Sequence, residues 1–301
     1  MKSYGICPAS CGEFVQGILD NEEYLSSYAI DMFSIASLEE KKEDINLGSK
    51  KSRKAIEKVF EKFNIPIEES KNISLDLKSN IPIGKGMASS TADIGATIKA
   101  TLSILNKKLN DEEISLIASE IEPTDSIILY KNSIFNPING SVKKYLSSFD
   151  NGRVIILEPK EILETKIIRS NPNYLNIKLE NKSIIKKSFN LLEKGLKNND
   201  LKLIGEACTL SSLANENIHK KPYLNEIIEI SQNMNAYGVN IAHSGTVIGI
   251  LIDKNMDYER IINHLNNLPL SDYYKKIHLA NIIGQKEREE LEWNMLKTLK
   301  W

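Results

Sequence analysis

Cysteine is scarce in this 301-residue sequence: there are three, Cys7, Cys11 and Cys208. So odd and sparse a set argues against a disulfide framework and fits a reducing compartment. The four histidines, His219, His243, His264 and His278, show no paired spacing, so Cys7 and Cys11 lack the two further soft ligands of a zinc site. They read instead as small buried residues near a tight turn. Net charge is nearly absent as well. The 39 basic and 40 acidic residues leave −1, which argues against a nucleic-acid surface or a polybasic membrane patch. No apolar run approaches the roughly 20 residues of a transmembrane helix, and MKSYGICPAS holds no signal-peptide core, so a cytoplasmic protein with small-molecule partners is expected. Two familiar phosphate signatures are missing too. Lys85 is followed by Gly86 rather than the Ser or Thr of a Walker A loop, and the third glycine of a dinucleotide fingerprint is not in place.

What is present is a glycine-containing turn that opens onto a helix. Ile81 to Ala96 reads IPIGKGMASSTADIGA; Asn80, Pro82, Gly84 and Gly86 punctuate the end of an alternating run, Ile73 to Lys78. From Met87 the small and apolar residues take up helical spacing. The unpaired N–H groups of a first helical turn carry roughly half a positive charge, and a phosphate suits them. Gly86 allows close backbone approach, and Ala88 is small enough not to obstruct it. Ser89, Ser90 and Thr91 supply three consecutive hydroxyls that can cap the helix, touch phosphate oxygens or ligate magnesium. Ordinary capping explains the same residues, and local pattern leaves both readings open.

The chain is long enough for two domains, divided here at 1–150 and 151–301 by a turn-rich stretch from Ser147 to Gly152. The first forty residues predict strands at Tyr4–Cys7, Glu13–Leu19, Glu23–Tyr28 and Phe33–Leu38, with a turn at Pro8 and Gly12. Helices follow at Lys51–Phe63, with Ala55, Ile56, Val59, Phe60 and Phe63 inward, at Met87–Leu105, and from an Asp111 cap to Ile121. The second half alternates helices (Lys182–Lys197, Asp200–Asn217, Pro222–Tyr237, Asp257–Leu268) with strands (Val154–Leu157, Gly238–Ala242, Val247–Ile252, Ile277–Ile282), a layered α/β or α+β pattern. The terminal helix, Glu287–Trp301, offers Leu291, Met295 and Leu299 either to the body or to a second copy in a homodimer.

Three segments in order carry a resemblance. PIGKGMASSTA resembles the phosphate loop of the GHMP kinases, in which Pro82, Gly86, Ser89 and Ser90 fit the family pattern, Met87 replaces Leu and Ala88 replaces Gly. CPASCGEFVQG, Cys7 to Gly17, resembles the family's first motif, and YGVNIAHSGTVIGIL, Tyr237 to Leu251, its third. Together with IEPTDS, Ile121 to Ser126, they are most similar to the branch that phosphorylates L-threonine for the aminopropanol linker of cobalamin. The resemblance spans about Cys7 to Ile252. It implies an α+β, two-domain GHMP kinase fold, with an N-terminal ribosomal-protein-like domain carrying a left-handed crossover and a C-terminal ferredoxin-like domain, ligands lying between them.

It also implies ATP and Mg²⁺. Phosphoryl transfer needs an in-line hydroxyl and neutralised phosphate charge. The resemblance assigns Pro82, Gly84, Lys85, Gly86, Met87, Ala88, Ser89, Ser90 and Thr91 to ATP, and Ser90 with Glu122 to the metal, Glu120 being the second carboxylate candidate. Asp125 is the candidate general base, with a turn-forming role as its alternative. Glu13, Asp31, His243, Ser244 and Gly245 are placed about the amino-acid substrate; Asp93 complements the helix dipole. The alanine at 88 is expected to keep its backbone out of the left-handed region. Homoserine kinase activity, or a nucleotide-binding sensor without catalysis, are the alternatives.

Overall fold

The computed structural model describes residues 2–149, 151–162, 173–242 and 244–299. Its first sheet rests on two long strands, β1 (Lys2–Leu19) and β2 (Glu22–Glu40), paired antiparallel from end to end. The predicted break at Pro8 and Gly12 does not occur. The turn signals there become bulges, with register shifts at Pro8/Ala9, Ser10/Glu13 and Glu13/Val15 that redirect side chains without ending the ladder. Asp20 and Asn21 close the hairpin at positive φ, as a two-residue turn between twisted strands demands. β3 (Ile73–Ser79) pairs with the second half of β2, while the short β4 (Ser133–Phe135) meets β2 at Leu25 and pairs with β5 (Val142–Tyr145).

Helix α1 (Lys50–Lys62) buries Ala55, Ile56, Val59 and Phe60, as its spacing predicts. After the single turn α2 (Ile67–Ser70) and β3 comes α3 (Ser89–Ile104), which is apolar or small on almost every side and is buried accordingly. It presses on β1 so closely that a Cβ on Gly5 would stand 2.0 Å from the Ala96 carbonyl oxygen. An aliphatic layer of Val59, Ile94, Ile98, Ile114 and Ile117 joins it to α1 and to α4 (Asp111–Ser119). The cap of α4 is Asn110, in a reciprocal capping box with Glu113, one residue before the predicted Asp111.

The second sheet holds β6 (Gly152–Glu158), β7 (Gly238–Ile241), β8 (Ile248–Asp253) and β9 (Lys276–Asn281) in the antiparallel order β7-β8-β6-β9. Helices α5 (Tyr174–Glu180), α6 (Lys182–Asn198), α7 (Leu201–Asn215) and α8 (Leu224–Asn233) separate β6 from β7, and α9 (Tyr258–Asn266) separates β8 from β9. That succession is the β-α-β-β-α-β, ferredoxin-like arrangement. One core, including Phe14, Tyr28, Phe149, Val154 and Leu251, runs between the two sheets, and an Ile30–Ile282 bridge links them. The closing helix α10 (Gln285–Leu299) lays Leu291, Met295 and Leu299 against Ile6, Phe33 and Ile283, so this apolar face is covered by the body of its own chain. All three cysteines are free and buried, as read from the sequence. No helix among the described residues is long and apolar enough to cross a membrane.

Candidate active site

Three segments far apart in sequence meet here, and they meet backbone against backbone. Gly12 N donates to Gly86 O at 3.2 Å, and Ser10 N to Met87 O at 3.2 Å. Thr246 N and Val247 N both donate to Lys85 O, at 2.8 and 3.1 Å. There is no room for side chains at the seams. A Cβ on Gly86 would lie 2.3 Å from the Ala242 Cβ, one on Gly245 2.2 Å from Gly86 N, and one on Gly12 2.6 Å from Ile241 O.

The turn before α3 alternates its backbone hand, with Gly84 at φ +70°, Gly86 at +81° and Ala88 at +57°. Such alternation points successive N–H groups into one concavity, a nest for anions. Ala88 therefore overturns the expectation set for it: it enters the left-handed region although it carries a Cβ, which costs about 1–2 kcal/mol relative to a right-handed residue. Its place in the family glycine's position is kept by strain, not avoided. Ala88 is also the cap residue of α3 and makes no side-chain cap, so the capping alternative does not account for the hydroxyls that follow. Ser90 Oγ donates instead to the Glu122 carboxylate, and Thr91 Oγ1 lies 3.4 Å from Thr124 Oγ1.

The turn and the first residues of α3 form one wall of a cavity of about 520 Å³ lying between the elements of the two sheets. That volume is within the range of small-molecule sites. Gly84, Gly86, Met87, Ala88, Ser89, Ser90 and Thr91 line it, together with Glu13, Glu122, Asp125 and Ser244. Pro82 and Lys85 do not. Lys85 turns its ammonium onto the Pro159 and Glu161 carbonyls, at 2.5 and 2.6 Å, and thereby ties the turn to the end of β6; its assignment to ATP is replaced by a structural one. Gly245 acts through its backbone seam with Gly86.

Asp125 opens a 3-10 turn, Ser126–Ile128, and accepts a hydrogen bond from Ile127 N at 3.1 Å. The turn chemistry expected as its alternative role is thus present, and the carboxyl still borders the cavity. Burial, and then the charge of Glu13, push its pKa up to about 7. A carboxylate poised near neutrality is what general-base work requires. Glu122 is held by Lys51 Nζ at 2.5 Å, and the same ammonium lies 3.0 Å from Ser90 Oγ. One hydroxyl and one carboxylate facing a common positive charge form a donor set that fits Mg²⁺, which takes few protein ligands and completes its shell with phosphate oxygens and water. Glu120 is excluded from this group by its exposed pair with Lys58 at 2.9 Å.

One substrate candidate is placed otherwise and another is not described. Asp31 does not line the cavity: its carboxylate accepts from Asn281 N and Nδ2, at 2.8 and 2.6 Å, and fastens β2 to β9. His243 lies outside the described residues. Asp93, half-buried, accepts from Ser34 Oγ at 2.5 Å and so does more than complement a helix dipole. The sequence reading also missed cavity residues, among them Lys51, Lys178 and Lys221. Lys178 is buried and pairs with Glu23 at 2.9 Å. Burial pushes Lys221 down to about 7 against the opposing pull of Glu13 and Glu216, and lowers His219 beside it to about 4. Nothing in spacing or composition separates these lysines from the other basic residues.

The seat of Asp125 is completed from α10. Arg288, almost wholly buried, donates through Nη1 to the Ile127 and Leu129 carbonyls at 2.7 and 2.8 Å, in the middle of the 3-10 turn and at the residue that follows it. Its Nε donates to Glu292 at 2.8 Å; Lys99 reaches the same carboxylate at 3.0 Å and the Tyr130 hydroxyl donates to it.

A helix terminus shaped for phosphate, a buried carboxylate poised near neutrality and a cavity between two α+β domains define a small-molecule kinase of the GHMP type. The model of the GHMP kinases N terminal domain matches residues 50–130 and that of the GHMP kinases C terminal region residues 192–269, and the chain belongs to this family. It is 32% identical over 279 residues to the L-threonine kinase of Salmonella typhimurium, covering 92% of each chain. To the L-threonine kinase of Citrobacter freundii it is 30% identical over 284 residues, 92% of this chain and 96% of that one. Among solved structures, a mevalonate kinase superposes with a TM-score of 0.68 at 21% identity over 93% of this chain and 99% of that one. The homoserine kinase of Cytophaga hutchinsonii gives 0.68 at 16%, over 94% and 95%. At these identities the likeness to the solved structures is one of fold, and it bears out the expected two-domain architecture.

Proposed function

We propose that the protein is an ATP-dependent L-threonine kinase, transferring the γ-phosphate to the side-chain hydroxyl and releasing ADP and O-phospho-L-threonine. The observation that carries the chemistry is Asp125, buried and poised near neutrality in the same cavity as the uncapped N-terminus of α3. The acceptor is supported by the two threonine kinases to which the chain is similar over nearly its whole length.

In this reading the N–H groups of the turn and of the first turn of α3 take the ATP phosphates. Ser89 and Thr91 offer hydroxyls beside them. Ser90 and Glu122 would hold Mg²⁺, which when bound neutralises phosphate charge, and Lys51 places an ammonium at the same point. As the threonine oxygen bonds to the γ-phosphorus and the bond to the ADP oxygen breaks, Asp125 accepts the hydroxyl proton. Glu13 and Ser244 face the acceptor's polar groups. The product is of the kind consumed in building the aminopropanol linker of cobalamin.

Steady-state ADP release with L-threonine, L-homoserine and L-serine side by side tests the proposal. Turnover is expected to be fastest with L-threonine. Serine should be a poor acceptor, since one methyl contact is worth only about 1–3 kcal/mol. Faster turnover of homoserine reassigns the acceptor, and ATP binding without acceptor-dependent phosphorylation makes the protein a nucleotide sensor.

A further inference from the structure

Lys221 stands where packing alone has no use for a charge. The residue is 3% exposed and borders the cavity, yet the one hydrogen bond its ammonium makes among the described residues is a long one, 3.5 Å to the His219 carbonyl of its own loop. An ammonium carries three donors, and burying one without acceptors is costly. The loop is not free to carry it elsewhere. It leaves α7, which is fastened to β1 by Gln16 N donating to Ser211 Oγ at 3.1 Å and by Asn215 Nδ2 donating to Gln16 O at 2.9 Å.

Glu13 lies on that same stretch of β1. On its other flank it is in register with Ser27, whose N–H donates to Ser126 Oγ at 3.0 Å, next to Asp125. Three ionisable groups therefore border one cavity, Lys221 from the α7 side, Glu13 on the strand and Asp125 from the 3-10 turn, and the charge of Glu13 acts on both of the others. A β-hydroxy α-amino acid carries carboxylate, ammonium and hydroxyl on three successive carbons. The two sets match, cation to anion, anion to cation and base to hydroxyl.

We propose that Lys221 binds the carboxylate of the amino-acid acceptor, with Glu13 taking its ammonium, so that an α-amino acid is held with its hydroxyl toward Asp125. The proposal rests on the threonine-kinase reading and adds to it the residue that makes the free carboxylate a requirement. It distinguishes this site from kinases of hydroxyl compounds lacking that group.

The test compares L-threonine with L-threoninamide, whose carboxylate is a neutral amide, as acceptors for the wild type, Lys221→Met and Lys221→Arg at saturating ATP. Wild type is expected to prefer L-threonine in kcat/KM by about 10- to 100-fold, the worth of a charge-assisted hydrogen bond. Lys221→Met should lose most of that preference through a raised KM for L-threonine, while its activity on L-threoninamide stays within about threefold of wild type. Lys221→Arg should restore much of the preference. An unchanged preference in Lys221→Met, or an equal loss on both acceptors as from a purely structural role, overturns the assignment. A wild-type enzyme that phosphorylates homoserine and not threonine overturns the underlying reading instead, so the two failures are told apart.

Discussion

Replacing Asp125 by Asn should move activity and stability in opposite directions. The carboxyl, ordinarily titrating near 3.8, is pushed up to about 7 by burial and by Glu13. Between these values the folded protein holds a proton that the unfolded chain has released, so this group's contribution is full below about pH 4 and lost as pH rises through about 7. A displacement of about three pKa units, the hydrogen bond from Ile127 N already included, corresponds to about 4 kcal/mol at 1.36 kcal/mol per unit. Asparagine keeps an oxygen for that N–H and never ionises. Asp125→Asn should therefore stabilise the ligand-free protein by about 2–4 kcal/mol near pH 8 and by little near pH 4.5, read as urea midpoints at the two pH values. Loss of the base should lower kcat about 10²- to 10⁴-fold. A stability gain equal at both pH values, or turnover close to wild type with the fold intact, would falsify the argument.

Gly245→Ala puts a methyl 2.2 Å from Gly86 N, between backbones that cannot yield; a loss of about 2–4 kcal/mol and a raised KM for ATP are expected, and wild-type melting would refute the seam. Ala88→Gly should relieve left-handed strain and leave stability unchanged or raised by up to about 1 kcal/mol, whereas Ala88→Val should lose more than that, with thermal melts reading both. Glu122→Gln should raise the Mg²⁺ concentration needed for half-maximal turnover about 10-fold or more at fixed ATP; an unaltered Mg²⁺ dependence would remove it from the metal site.

What could be read from the sequence was whatever is encoded locally. Gly12, Gly86 and Gly245 stand in recognisable segments because close backbone approach forbids any side chain there, and that constraint leaves a mark on each segment separately. The helix following Gly86 and the β-branched run at β6 were legible for the same reason, their periodicity being a property of a few neighbouring residues. Long-range placement was not. Pro8 and Gly12 signal a turn by themselves, and only pairing with β2 converts that signal into bulges within one strand. Asp31 and Glu13 are both acids on long strands, but the bulges send Glu13 to the cavity while Asp31 finds Asn281. Lys221 depends on the fastening of α7 to Gln16, a contact between residues 199 apart.

The hydrogen bonds from Arg288 to the turn after Asp125 close loops of 161 and 159 residues. Contacts of such separation form only after the intervening chain has been ordered, since loop closure must precede any gain from them. The phosphate turn is under the same constraint, because Thr246 N and Val247 N reach Lys85 O from the far half of the chain. A refolding chain should thus recover nucleotide binding and turnover together rather than one before the other, since both halves of the site wait on contacts between distant segments. Until α10 has docked, the turn after Asp125 lacks its two hydrogen bonds from Arg288.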